Sequence, residues 1–184
     1  CSAQMMAQKS PRTISKAQAH EMAGIPVLYN ERICPLNTAA TDFVTKLCGK
    51  STWKGMSADE IFIGWMIYYT EWESQPIIKV KSRHVQQILG IDSEWASVRD
   101  FYNSQHEYKL REAVHNTAIS ESARKALREV DEKIQTVTMF YHSEMLRMFP
   151  LRAEGQLKWY TPGSTELPQG VPEAEFQFIN HAMD

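Results

Sequence analysis

The stretch Ser122 to Met148, SARKALREVDEKIQTVTMFYHSEMLRM, decides the fold class. Leu127, Val130, Ile134, Val137, Tyr141 and Met148 fall at steps of three, four and seven, the spacing of a helix that buries one face. At 1.5 Å per residue such a helix runs about 40 Å, enough to span a domain. Its opposite face carries Glu121/Lys125, Lys125/Glu129, Arg128/Glu132 and Glu129/Lys133 four residues apart. Pairs of this kind add only about 0.2–0.5 kcal/mol each, so this face reads as solvated.

Working outward, shorter helices appear with clear punctuation. Ser15 with Gln18 three residues on predicts a capped helix over 16–23, stopped by Gly24 in a left-handed conformation. Residues 25–29 and 32–36 read as two extended pieces about a tight turn at Asn30-Glu31, with Pro26 and Pro35 confining the hairpin to an edge. Asn37 or Thr38 caps a helix over 39–48, ended by Gly49. Ser57 and Glu60 form a capping box before a stripe of Ile61, Phe62, Trp65, Met66 and Tyr69. Pro76 blocks continuation, 77–80 is β-like, Ser82 opens a helix to Leu89 closed by Gly90, and 93–116 holds two short helical pieces. Between Pro150 and Pro172 lie four of the eight prolines and three of the eight glycines, which predicts an irregular connector. Pro172 then opens a last helix with Phe176, Ile179 and Met183 on one face.

The whole chain has 184 residues, one domain's worth, with 43% apolar residues to build a core. Twenty Lys and Arg against 22 Asp and Glu leave a charge of −2, which argues against a phosphate-backbone binder and so against nucleic acid. The longest apolar run without a charge, Ile61 to Thr70, has ten residues where a membrane span needs about 20. The chain lacks an initial Met, and 176–184 reads as a helix cut in mid-pattern, so the expectation is a piece of a longer protein.

Chemistry-bearing constellations are sparse. Cys1, Cys34 and Cys48 form no Cys-x-x-Cys; Cys34 and Cys48 are either a disulfide or two free thiols, and Cys1 is either a lipid-modified residue or a boundary. The six histidines show no His-x-x-x-His or His-Glu-x-x-His, so no metal site is expected. His142 and Met145, three apart on the long helix, read as core and flank rather than haem ligands. No nucleophile elbow or phosphate-cradling glycine loop is present, and the chain is read as non-catalytic. Five Trp and seven Tyr enrich the chain in aromatics; Trp65 belongs to the core stripe, while Trp53 and Trp72 flank it as candidates for an exposed contact surface or for packing under loops.

Three segments together resemble a known family. They are Val27-Leu-Tyr-Asn-Glu-Arg-Ile-Cys-Pro-Leu-Asn-Thr-Ala-Ala39, then Phe43 to Lys50 with Ser51-Thr-Trp-Lys-Gly55, then Ile63-Gly-Trp65 with Gln75-Pro-Ile-Ile-Lys-Val80. This pattern is similar to the extracytoplasmic region of cytochrome c biogenesis membrane proteins of the ResB/CcsA (System II) type. It covers about residues 25 to 90, and the Met-Leu-Arg-Met-Phe-Pro150 end of the long helix more loosely. The resemblance implies a periplasmic domain of the machinery that delivers haem to apocytochromes c. The family's tryptophan-rich haem segment ends in Trp-Asp; here Trp72 precedes Glu73, so no haem-handling residue carries over, and haem is implied for the parent machinery only. Arg32, Pro35, Asn37 and Thr38 carry the local motif: Arg32 can grip a carboxylate, whereas Pro35, Asn37 and Thr38 also serve simply to end a strand and cap a helix.

The expected fold is therefore mainly α, five to seven helices around the long one at about 122–148, with a short hairpin near the N-terminus. The expected function is that of a single soluble, non-catalytic accessory domain tethered to the inner membrane through the rest of its parent. Its binding residues would be Arg32, Asn37, Thr38, Trp53 and Trp72, and its partners the membrane-embedded part of the same or another assembly protein, or apocytochrome c. The alternative is a free-standing envelope lipoprotein anchored through Cys1.

Overall fold

The Ser15 hydroxyl accepts the Gln18 amide at 3.3 Å while the Gln18 side chain accepts the Ser15 amide at 3.1 Å, and this closed box opens helix α1, Lys16–Ala23. The computed structural model describes residues 10–116, 118–141, 146–153, 155–161, 172–174 and 177. Gly24 ends α1 at φ −85°, a right-handed value, so the expected left-handed stop is not used there.

Strands β1 (Pro26–Tyr29) and β2 (Arg32–Pro35) pair antiparallel with Tyr29 opposite Arg32 and Pro26 opposite Pro35. Asn30 and Glu31 both take positive φ, 49° and 59°, the geometry that lets a two-residue turn follow the natural strand twist. The outer edge of β1 is used as well: the Leu28 amide donates to the Arg147 carbonyl at 2.8 Å.

Helix α2, Leu36–Cys48, begins earlier than expected, with Pro35 at the cap and no side-chain cap bond. Asn37 and Thr38 already lie inside the helix, so the cap assigned to them is corrected. Gly49 takes φ 78° beyond the last turn, where only glycine avoids strain, and its amide donates to the Thr45 carbonyl. A small hairpin of β3 (Thr52–Trp53) and β4 (Met56–Ser57) leads into α3, Ala58–Ile67, opened by the predicted Ser57–Glu60 box. Tyr68, at φ −120° and ψ 41°, breaks the helix before α4, Tyr69–Trp72.

Further on, β5 (Ile78–Lys79) pairs with β6 (Trp95–Ala96), and α5 (Arg83–Leu89) between them ends at left-handed Gly90. A 3-10 turn over Val98–Phe101 and α6 (Arg111–His115) are the two short pieces expected between 93 and 116. The long helix α7 covers Glu121–Tyr141, about 30 Å at 1.5 Å per residue. His142 to Met145 lie outside the described residues, but the helix expected to reach Met148 does not: Arg147 forms an antiparallel bridge with Leu28. Strands β7 (Phe149–Ala153) and β8 (Gln156–Tyr160) then form a hairpin over the first part of the stretch 150–172 expected as an irregular connector, of which 162–171 lie outside the described residues. The last predicted helix falls largely outside the described residues, as does Cys1.

The fold is thus mainly α, with small antiparallel strand pairs, as expected. Its centre is aromatic. Phe43 of α2 meets Phe62 and Trp65 of α3 edge-on at 5.4 and 5.5 Å, and Phe140 of α7 approaches both Phe43 and Phe62 at 5.0 Å. All but the tilted Phe43–Phe140 pair are edge-to-face, and such contacts add about 0.5–1.5 kcal/mol each beyond the burial of the rings. Among the described residues no helix is long and apolar enough to cross a membrane.

One expectation about α7 is overturned. Lys133, assigned to the solvated face, is buried at 6% exposure, and its ammonium donates to the Lys79 carbonyl at 2.7 Å. Position 133 lies three residues after Val130 and four before Val137, which places it on the apolar stripe. Of the four predicted pairs the structure forms Glu129–Lys133 at 3.4 Å; Arg128 instead pairs with Glu121, a residue that also takes Arg124.

Candidate functional site

A cleft of about 600 Å³ opens between α7 and the segment 98–106. Ile134, Val137, Thr138 and Tyr141 succeed one another at helical spacing on α7 and make one wall. The facing wall is fixed by a third capping box, in which the Asp100 carboxylate accepts from the Ser97 amide at 2.7 Å and the Ser97 hydroxyl at 2.8 Å. That box sets the 3-10 turn and anchors fully buried Phe101, which leaves Val98, Arg99 and Tyr102 on the cleft.

The rim is a tight loop held by one asparagine. The Asn103 side-chain oxygen accepts the Gln105 and Glu107 amides, both at 2.9 Å, and its nitrogen donates to the Glu107 carboxylate at 2.9 Å. Within that loop His106 takes φ 61° and lines the cleft beside Asn103. Tyr102 and Tyr108 bridge the base of the loop with ring centroids 5.8 Å apart. On the far side Arg99 faces Glu73 at 3.8 Å and reaches the Thr70 carbonyl at 3.5 Å.

The phenols here are held neutral. Burial pushes the Tyr141 hydroxyl well above its ordinary value, although the indole N–H of Trp65 donates to it at 3.0 Å. Tyr108 is raised further, first by burial and then because it donates to the Asp131 carboxylate at 2.7 Å. Tyr102 is raised by burial also. The cleft therefore offers an apolar and aromatic floor, hydroxyl and amide donors, one ion pair and one histidine at its rim. This is the composition of a surface that receives side chains, with large rigid rings supplying contact at small entropic cost. Among the described residues no group of three or more His, Cys, Asp or Glu side chains is placed to hold a metal ion.

The residues singled out from the sequence do not assemble here. Arg32 is exposed on the first hairpin, beside Ile33, which is 61% exposed. The Asn37 amide donates to both oxygens of Asp59 at 2.9 Å, tying the start of α2 to the first turn of α3; Thr38 is half-buried one residue on. Trp53 and Trp72 are core residues, 8% and 0% exposed, and this corrects their reading as a contact surface. The break at Tyr68 turns Trp72 back onto Trp65, where the rings stack at 5.6 Å and 20°, and Trp53 lies 6.0 Å from Trp72. Of the two readings of the cysteines, the structure holds Cys34 and Cys48 as free thiols. Cys48 donates to the Val44 and Lys50 carbonyls at 3.2 and 3.0 Å, and burial pushes its thiol up.

The cleft residues between 98 and 106 carry no hydrophobic period, so sequence reading passed over them. The signal that marks the place is Ser97-Val-Arg-Asp100, a capping box of the same kind as the two that were read.

Fold and cleft together define a mainly helical domain with an aromatic-floored cleft on α7. No family model matches the chain. Over 134 residues it is 31% identical to Protein NrfI of Wolinella succinogenes, a match that takes in 70% of this chain. The chain spans only 15% of that relative's length.

Proposed function

We propose that the chain is an accessory, non-catalytic domain of a cytochrome c assembly protein of the ResB/CcsA (System II) type, working on the periplasmic face of the inner membrane. The observation that carries this is the match to a small part of the much longer NrfI, combined with the 25–90 motif pattern. A segment that corresponds to about a seventh of such a relative does its work next to other parts of the same protein. The domain takes no cofactor of its own; haem is handled by the membrane-embedded machinery, and this domain supports its delivery or presents apocytochrome c through protein contact. Nucleic acid is not a partner.

The cleft between α7 and the 98–106 segment is the contact surface in this reading. Its rings and donors suit an extended or looped segment of a partner, and its phenols stay protonated across the physiological range. The test is a photo-crosslinking amino acid placed at His106 in the full-length protein in its native membrane. The expected result is an adduct with the membrane-embedded part of the assembly machinery or with apocytochrome c. A crosslinker at exposed Glu31 serves as the comparison, and equal yields from both positions would overturn the assignment of the cleft.

A further inference from the structure

A second cleft, of about 250 Å³, lies on another side of α7, between the last turn of α2, strand β5 with Lys81 beyond it, and the middle of α7. Four lysines line it, Lys46, Lys79, Lys81 and Lys133, against two acids, Glu129 and Glu132. This local excess of positive charge sits in a chain whose acids outnumber its bases. The last turn of α2 adds roughly half a negative charge at its carbonyl end, which the lysine excess outweighs.

The lysines are incompletely matched by protein acceptors. An ammonium carries three N–H donors, and short charge-assisted bonds to oxygen run to about 2.7–2.9 Å. Lys133 makes one such bond, to the Lys79 carbonyl at 2.7 Å, while its carboxylate partner Glu129 stands off at 3.4 Å. Lys46 and Glu132 are 3.6 Å apart, and the Lys79 ammonium is 3.8 Å from Glu94. Lys81 is exposed and forms no ion pair among the described residues. Glu129 and Glu132 are both more than half exposed, so they can turn to water at little cost. The Lys79 ammonium also lies over the Trp95 ring, 5.4 Å from its centre. A buried ammonium fixed by a backbone carbonyl, with further ammoniums around it whose carboxylate partners stand off, is a site that an incoming anion completes.

We propose that this cleft binds a small multivalent oxyanion, carboxylate or phosphate in kind. Lys133 is its fixed cation, and Lys46, Lys79 and Lys81 close over the ligand. The site is independent of the aromatic cleft and of the function proposed for it.

The test is a titration of the 184-residue protein, followed by amide NMR, with inorganic phosphate and with citrate, using sodium chloride at matched ionic strength as the control. Saturable shifts confined to residues around Lys46, Gly49, Lys79 and Lys81 are expected, and whichever anion saturates at lower concentration identifies the kind. The Lys46→Ala/Lys81→Ala double variant, which removes two side chains outside the core, should weaken binding about tenfold with an unchanged melting profile. Glu129→Gln/Glu132→Gln, which removes the competing carboxylates, should tighten it. Shifts that do not saturate, shifts reproduced by chloride, or unchanged affinity in both variants would overturn the proposal.

Discussion

The indole nitrogen of Trp65 donates to the hydroxyl of Tyr141 at 3.0 Å, across 76 residues of sequence. This bond ties fully buried Trp65 in α3 to the end of α7, and Tyr141 also lines the aromatic cleft. Core and candidate site therefore share a residue. Tyr141→Phe keeps the ring and its contact with Tyr69 at 6.0 Å but strands the buried indole N–H. The expected loss is about 1–3 kcal/mol in urea unfolding, the cost of an unsatisfied buried donor. Retained stability would mean that the indole finds another acceptor.

Alkali should weaken the domain through its phenols. Tyr108, Tyr141, Tyr102 and Tyr29 are all raised above their ordinary value near 10, in each case chiefly by burial. A group raised in the folded state contributes stability that is complete below its unfolded value and is lost as pH rises beyond it, because the unfolded chain ionises first. Urea midpoints should therefore hold steady to about pH 9 and fall above about pH 10. Tyr108→Phe, which has no proton to lose, should show a shallower alkaline fall than the parent; an identical slope would remove Tyr108 from this role.

The segment 10–14 is strapped across α3 and α4. The Arg12 amide donates to Glu71 at 3.0 Å, its carbonyl accepts the Trp72 indole at 2.9 Å, its guanidinium lies 4.5 Å from the Tyr68 ring centre, and the Thr13 hydroxyl donates to the Glu60 carbonyl. Gly64 makes room for this strap, since a Cβ there would stand 2.7 Å from the Thr13 hydroxyl oxygen and 3.0 Å from the Trp72 indole nitrogen. Gly64→Ala should cost about 1–3 kcal/mol, the usual range for overpacking, and should speed tryptic cleavage at Arg12. Unchanged cleavage would show that the strap relaxes without loss.

The two described cysteines should differ in reactivity. Cys34 is half-buried on a strand, whereas Cys48 is buried with its thiol engaged and pushed up. Because the thiolate is the reacting species, native-state alkylation mapped by mass spectrometry should label Cys34 first and Cys48 only on unfolding. A bridged Cys34–Cys48 peptide in the unreduced protein would contradict the free thiols of the structure.

Local rules made much of the fold legible. The Ser15–Gln18 and Ser57–Glu60 boxes, the Asn30-Glu31 turn, and Gly49 and Gly90 at helix exits all depend on neighbours a few residues apart. What was misread depends on distant partners. Helicity at 146–148 lost to the pairing of Arg147 with Leu28, nearly 120 residues away in sequence, and the stretch 150–160 of the expected connector forms a hairpin around positive-φ Gly155. Trp72 looked like a flank because the break at Tyr68 has no proline or glycine to announce it. Lys133 has a charge partner four residues away, as a solvated residue would, yet its place between Val130 and Val137 turns it into the core. The aromatic cleft stayed hidden since its loop is built by the side-chain bonds of Asn103 and not by a period.

The most direct test of the proposed role is made in the cell, on the full-length protein. Residues 10–161 are replaced in frame by a short Gly/Ser linker, and covalent haem in c-type cytochromes is read by haem staining of denaturing gels, with the level of the truncated protein in the membrane checked in parallel. A domain that supports cytochrome c assembly predicts a marked fall in haem-stained c-type cytochromes while the truncated protein persists in the membrane. Undiminished staining in those cells would contradict it.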